Sequence, residues 1–380
     1  FRVQYVNSGV AVRAGASSTA TNNWVDRVQI RFTNSGVSVG EQYGTGNRVH
    51  GTVVQDSDIV DTDEQQTWPW AAVKQNDVES TGIVLAGGSG TILRRNTVRD
   101  VFNGIDGTIS WALTDTSYNT DTDVADNMVT DVGDDGIELD GAATNLRVFR
   151  NTVASTHGVE SSNATISAAP ISVGPAWLIR NVLLDPQQYG VKASYNASVS
   201  AGRIFVFHNT FYGSHGDLFG LLRYTQSNNQ TGFTTVYRNN LVVVGGTQTT
   251  ANGIGFLFQD AATDHATPPV TFDLDYNGYF SSRTCTTSCR LFNWLSVDYS
   301  NLAAFAAASG HEAHGRWVNP SFVDAGGGNF ALQSGSGVID QGIALPGIND
   351  GYSGSAPDLG AFEFTADVTP PAAVTDLRAS

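Results

Sequence analysis

Lysine is almost missing from this chain of 380 residues, in which Lys74 and Lys192 are the two examples. Basic residues number 20 against 36 acidic ones, and the formal charge of −16 argues against a nucleic-acid binder, which needs a basic surface to neutralise phosphate. Charged residues make up 15% of the chain, against about 25% in an average globular protein. No run reaches the roughly 20 consecutive apolar residues of a membrane helix, so no membrane partner is expected. The opening segment FRVQYVNSGV lacks both a start methionine and a signal-peptide pattern, and the expectation is a soluble mature fragment whose upstream part is missing. The two cysteines, Cys285 and Cys289, share the segment RTCTTSCRLF with no second metal-type pair. A local disulfide fits them better than zinc and points to an oxidising compartment, hence to a secreted protein. Helix-period apolar patterns are scarce as well. In their place stand 41 glycines and short β-branched runs broken by Gly, Asn, Asp and Ser, which is strand and turn chemistry.

A repeat emerges when the chain is aligned on a recurring asparagine. The segments are RNTV at 95–98, DNMV at 126–129, RNTV at 150–153, RNVL at 180–183, HNTF at 208–211 and RNNL at 238–241. Their asparagines at 96, 127, 151, 181, 209 and 239 lie 31, 24, 30, 28 and 30 residues apart, spacings that suit one coil of a solenoid. Three residues before each asparagine stand Leu93, Val124, Val148, Leu178, Val206 and Val236; two after it stand Val98, Val129, Val153, Leu183, Phe211 and Leu241. Both columns are apolar and should face a common core, with the asparagine side chains satisfying backbone groups at the turns. A second column starts at a glycine, in GIVLA from Gly82, GIDGT from Gly104, GIELD from Gly136, GVESS from Gly158 and GVKAS from Gly190, preceded by Gly9 and Gly36. The residue after each glycine is Val10, Val37, Ile83, Ile105, Ile137, Val159 or Val191, and strand alternation turns the next one outward.

These columns predict an all-β fold of stacked coils whose equivalent strands pair in parallel. Over about residues 1–260 the pattern resembles the right-handed parallel β-helix proteins of the pectate-lyase-like superfamily, solenoids with long loop insertions between coils. The expected domain spans 1–365, with 260–365 forming less regular coils, a short helix near 301–309 and a closing segment ending in PDLGAFEF. Residues 366–380, containing DVTPPAAVTDLRAS, resemble a linker and the opening strand of a fibronectin type III module, which implies a longer modular parent.

Two residues after the glycines lie Val84, Asp106, Glu138, Glu160 and Lys192, giving three carboxylates and an ammonium at steps of about 4.8 Å if strand spacing holds. Asp134 and Asp135 precede Gly136 and Asp140 ends that strand, so the run DVGDDGIELDG carries five carboxylates within ten residues. Like charges this close raise one another's pKa unless a cation intervenes, so either a metal sits there or one acid stays protonated. Calcium takes about six to eight oxygen ligands in a forgiving geometry, and Asp106, Asp134, Asp135 and Glu138 offer several. Beside such a cation a uronic-acid carboxylate would be neutralised and the sugar C5 proton acidified, leaving Lys192 to act as base. Without metal the same acids suit glycoside hydrolysis, one carboxylic acid protonating the glycosidic oxygen while another carboxylate activates water or attacks the sugar.

The DDG turn with an acid one coil earlier is similar to the catalytic arrangement of β-helix hydrolases such as polygalacturonases and mycodextranase-type glucanases. The fuller DDGIE with a downstream lysine is similar to the calcium site and base of the β-helix pectate lyases of family nine. That resemblance implies Asp134, Asp135 and Glu138 as metal ligands and Lys192 as the base. Where it has an upstream Asp-Gly this chain has Asn103-Gly104, and Asp106 stands in.

Other residues carry two readings each. Glu160 is either a ligand or a partner of Lys192. His157 precedes Gly158 as Asp135 precedes Gly136, which makes it an acid–base group near the stripe or a plain turn residue. Arg223, in FGLLRYTQ one coil beyond Lys192, would clamp a substrate carboxylate if its strand register turns it into the groove. Trp68, Trp70 and Trp111 lie in the longest insertions and either stack on sugar rings or anchor loops. Arg95, Arg150, Arg180, Arg238 and His208 just precede the turn asparagines and should cap turns and pair with surface acids. Asn163, Asn196 and Asn229 match the glycosylation pattern. Taken together, the residues predict a secreted, monomeric polysaccharide-degrading enzyme, a calcium-assisted lyase or a carboxylate-pair hydrolase. A non-catalytic glycan-binding solenoid is the third class, with the acidic stripe as a solvated face.

Overall fold

The computed structural model describes residues 1–15, 17–40, 48–61, 68–107, 119–139, 144–157, 163–168, 174–186, 189–195, 203–213, 220–226, 234–245, 256–260, 271–282, 291–294 and 297–365. For residues 155, 193–195, 220–226, 234, 256–260 and 271–272 the description covers the backbone alone. Glu160, Trp111, Asp140, Cys285, Cys289, Asn196, Asn229 and residues 366–380 lie outside the described residues, as does the side chain of Arg223.

The repeat folds as a right-handed parallel β-helix, each regular coil contributing three short strands. The first strand of a coil belongs to the stack Thr97–Val101, Met128–Val132, Thr152–Thr156, Val182–Leu184, Thr210–Gly213 and Leu241–Val244. The second belongs to the stack Thr81–Ala86, Asn103–Gly107, Ile137–Glu138, Ala164–Ala168, Tyr189–Tyr195 and Gly220–Gln226. The third stack runs through Asn119–Ala125, Thr144–Phe149, Ala176–Ile179, Arg203–Phe207 and Thr234–Arg238. First and second stacks join into one 20-stranded sheet, and the third forms a 12-stranded sheet. Alternation along each strand sends Val98, Val129, Val153, Leu183 and Phe211 inward from one face and Leu93, Val124, Val148, Leu178 and Val206 from another, all buried in one continuous core.

The asparagine column is a ladder of side-chain amides between the third and first stacks. Asn96, Asn127, Asn151, Asn181, Asn209 and Asn240 each donate from Nδ2 to the Oδ1 of the next asparagine, at 2.9 to 3.0 Å, ending on Asn277. The same Nδ2 groups donate to a backbone carbonyl of the preceding coil, for example Asn181 to Val148 O at 2.9 Å. From Asn127 onward each Oδ1 also accepts the backbone N–H of the asparagine one coil earlier, for example Asn209 from Asn181 N at 2.9 Å, while Asn96 Oδ1 accepts from Ser57 N at 3.1 Å. Every amide is thereby satisfied in the interior, where an unpaired one costs about 1–3 kcal/mol. Glu312 closes the ladder, its Oε1 accepting from Asn277 Nδ2 at 2.7 Å and from the Tyr279 hydroxyl at 2.7 Å.

The ladder corrects one expected position. In RNNL the amide ladder runs through Asn240, while Asn239 takes the left-handed backbone position, at φ 56°, that Arg95, Arg150, Arg180 and His208 hold in other coils. The core residues of that coil are therefore Tyr237 and Val242 rather than Val236 and Leu241. The residues before the ladder do pair with surface acids as expected: Arg95 with Asp56 at 2.8 Å, Arg150 with Asp126 at 2.7 Å, Arg180 with Glu363 at 3.0 Å and Arg238 with Asp273. His208 differs, because it is buried and accepts from the Asn239 and Asn349 side chains through Nε2. Burial, with the Arg180 charge beside it, pushes its imidazole down to about 3.

The C-terminal part both caps and clasps the solenoid. The expected helix is α2, Leu302–Ser309, capped by Asn301 Oδ1 on Ala304 N at 2.8 Å, with Phe305 stacked on Phe292 at 4.7 Å. Beyond it the chain folds back along the outside of the first stack, where Leu332, Val338 and Leu359 bury Leu241 and Val243. Sequence patterning misses the short helix α1, Trp70–Gln75, inside the insertion that precedes Thr81. Among the described residues no helix is long and apolar enough to cross a membrane.

Candidate functional site

The site grows out of the turn between the first and second stacks. From Arg99 to Ile105 the chain advances six residues, but the paired positions one coil on, Thr130 and Ile137, are seven apart. The extra residue accommodates the adjacent Asp134 and Asp135 before the second strand resumes. That strand resumes at Gly136 because its neighbours leave no space for a side chain: a Cβ there would stand 2.3 Å from Val153 Cγ1 and 2.8 Å from Thr165 O. Both aspartates are buried, and Asp135 accepts the backbone N–H of Ala164.

The outward ladder of the second stack reads Val84, Asp106, Glu138, Ser167, Lys192 and Arg223 by strand pairing. Asp106 takes its rung because Ile105 pairs with Ile137. Here the structure overturns the place given to Glu160. The connection from Ala154 to Ile166 is twelve residues long, and the strand that pairs with Ile137–Glu138 is Ala164–Ala168, with Ile166 inward. Ser167, fully buried, holds the rung assigned to Glu160. The stripe therefore passes from two acids through a neutral hydroxyl to a lysine.

Asp134, Asp135 and Glu138 can bring one carboxylate oxygen each to within 4.8 Å of one another, the one such group of His, Cys, Asp and Glu among the described residues. Asp106 hydrogen-bonds to Glu138; burial, aided by the Asp135 charge and opposed by that hydrogen bond, pushes its carboxyl up to about 6. Lys192 Nζ donates to Asp135 Oδ2, an ion pair with Asp135 fully buried and the lysine side chain 13% exposed. A buried carboxylate and ammonium held together in this way are costly to place and are kept where their chemistry is used.

The donor set fits a hard cation. It consists of carboxylate oxygens alone, and the same turn stack holds Asn163, whose Nδ2 donates to Asp134 O at 2.7 Å while its Oδ1 is buried without a hydrogen-bond partner. Full burial also removes Asn163 from the candidate glycosylation sites. His157 stands one coil beyond Gly133, outside the carboxylate cluster, with Nε2 3.6 Å from Asp131 Oδ1. Trp70 of α1 stacks on it, whereas Trp68 is 46% exposed and makes no ring contact among the described residues. Backbone pairing sets Arg223 beside Lys192, which settles its register on the outward ladder. Sequence reasoning missed Ser167 and Asn163. The alternation in ATISA, with alternate apolar residues, was the available signal for that strand.

Among solved structures the fold is similar to that of pectate lyase Pel9A, with a TM-score of 0.50 and 15% identity over 96% of this chain and 88% of that one. The sequence matches no family model. It matches no curated protein either. The likeness establishes the parallel β-helix fold.

Proposed function

We propose that this chain is a polysaccharide lyase that cleaves a uronic-acid-containing polymer outside the cell by β-elimination, with Lys192 as the base and Asp106, Asp134, Asp135 and Glu138 as the calcium-binding set. The observation that carries the reading is the Lys192–Asp135 pair, which joins the second lysine of the chain to the one such carboxylate group among the described residues. Bound calcium would supply neutralisation of the substrate carboxylate and so acidify the proton at C5. Lys192 takes that proton, the C–H electron pair becomes the C4–C5 double bond, and the C4–O bond breaks, the leaving oxygen gaining its proton from water. General-base work requires the neutral amine, so the pair with Asp135 opens in the working state. Asp135 would then be free to ligate, Ala164 N holding its other oxygen in place. In this reading Arg223, paired through the backbone with Lys192, would clamp the substrate carboxylate, and the exposed Trp68 would meet a neighbouring sugar.

One observation favours the hydrolase: Asp106, raised to about 6 and hydrogen-bonded to Glu138, resembles a proton-donating acid beside an ionised partner. The test is Lys192→Ala, which is expected to stay folded, at a lower melting temperature because Asp135 loses its counter-charge, while losing at least about a hundredfold in release of unsaturated, near-ultraviolet-absorbing product. Retained activity would remove the lysine from the mechanism.

A further inference from the structure

We infer that Trp70 and His157 form a single sugar-ring platform beside the acidic turn, a binding subsite for a pyranose unit next to the one acted on at Lys192; the inference rests on the polysaccharide reading above. The two rings stack with centroids 5.7 Å apart and planes 28° from parallel. They belong to a short turn stack of Phe102, Gly133 and His157, in which Gly133 donates to Val101 O at 3.1 Å and His157 to Val132 O at 2.8 Å. Trp70 occupies the room that a side chain at Gly133 would need: a Cβ there would lie 2.7 Å from the indole and 2.7 Å from the Phe102 ring. The next residue is Asp134, so the platform borders the carboxylate cluster by one position.

Anchoring α1 to the solenoid accounts for only part of this arrangement. Phe102 is fully buried and meets the indole edge-on at 6.3 Å, which suffices to seat the helix. His157 lies on the outer side, its side chain 40% exposed, and Trp70 is half-buried, so both rings reach solvent. Stacked aromatic rings with one open side offer what the C–H face of a pyranose takes, apolar area beside polar groups that stay wet. The role assigned to His157 is that of a ring. Its Nε2 stands 3.6 Å from Asp131 Oδ1, beyond hydrogen-bond distance, so this carboxylate does not orient the imidazole for proton transfer.

The test uses the full chain in a Lys192→Ala background, which blocks turnover, with calcium present and galacturonate oligomers of increasing length as probes, followed by calorimetry. Adding His157→Ala should weaken binding of the longest oligomer about fivefold, the factor expected of one lost ring contact, and leave the shortest oligomer that binds unaffected. His157→Phe should restore the affinity, and Trp70→Ala should lower it at least as far as His157→Ala does. Equal affinities in all variants would overturn the platform and leave the lyase reading intact. Equal losses in His157→Ala and His157→Phe would overturn it in favour of a polar role for the imidazole. Failure of the Lys192→Ala parent and of the unsubstituted protein to bind any oligomer would overturn the polysaccharide reading, and the platform with it.

Discussion

Two of the three turns in each coil have opposite habits, one at the asparagine ladder and one at the acidic edge. At the ladder, five residues always separate the inward position of the third stack from that of the first: Leu93 to Val98, Val148 to Val153, Leu178 to Leu183, Tyr237 to Val242. At the other turn the separation is six residues from Arg99 to Ile105, seven from Thr130 to Ile137 and twelve from Ala154 to Ile166. The constant turn is hydrogen-bonded through its buried amides, with its charged residues paired on the outside. The variable turn carries Asp134, Asp135, the rung of Ser167 and the platform of Gly133. A stack held rigid along one edge can vary its other edge without losing register, and that edge is where Asp134, Asp135 and Glu138 cluster beside Lys192.

This contrast is open to attack from both sides. At the variable edge, Asp135→Asn should abolish most turnover, a loss of about a hundredfold or more, since it takes the counter-charge from Lys192 and an oxygen from the proposed cation set. Denaturant unfolding would check that the global stability changes far less than activity. At the constant edge the order should reverse. Asn209→Ala removes an amide bonded to Asn240, to Leu178 O and to the Asn181 backbone, and should cost about 3 kcal/mol of stability, measurable as a lower urea midpoint.

Glu312, where the ladder ends, adds a pH signature. Burial pushes its carboxyl up to about 7, against the hydrogen bonds from Tyr279 and Asn277, so the folded chain holds this proton more tightly than the unfolded chain does. Its contribution to stability is complete below pH 4.5 and is lost as pH rises through 7, the reverse of an ordinary ion-paired carboxylate. Unfolding free energies across that window should fall with pH, and Glu312→Gln should flatten the slope. Arg95→Ala breaks a half-exposed pair with Asp56 and should move stability by less than about 1 kcal/mol.

The constant edge was legible in the sequence because its chemistry repeats: an asparagine flanked by apolar residues at fixed offsets leaves few registers to choose from. Its one misreading, Asn239 for Asn240, arose because two asparagines are adjacent and the left-handed position before the ladder also tolerates Asn. The acidic turn was legible too, since DDG followed by an outward glutamate cannot be placed on a buried strand. Glu160 was misplaced for the opposite reason. Gly158 imitates the start of a strand in sequence, and sequence spacing does not measure a connection's length; Thr165 fills the glycine column there because that rung faces Gly136, which has already given up its own side chain. Helix α1 left no periodic trace, being held by Trp70 on Phe102 rather than by an amphipathic face.

The most direct test of the central claim, that the variable edge performs β-elimination, follows unsaturated product and reducing ends together while the protein acts on de-esterified polygalacturonate and other polyuronates, with calcium and then with chelator. The account predicts that both signals rise in parallel on at least one polyuronate and vanish on chelation. Reducing ends that appear alone and persist with chelator would contradict it.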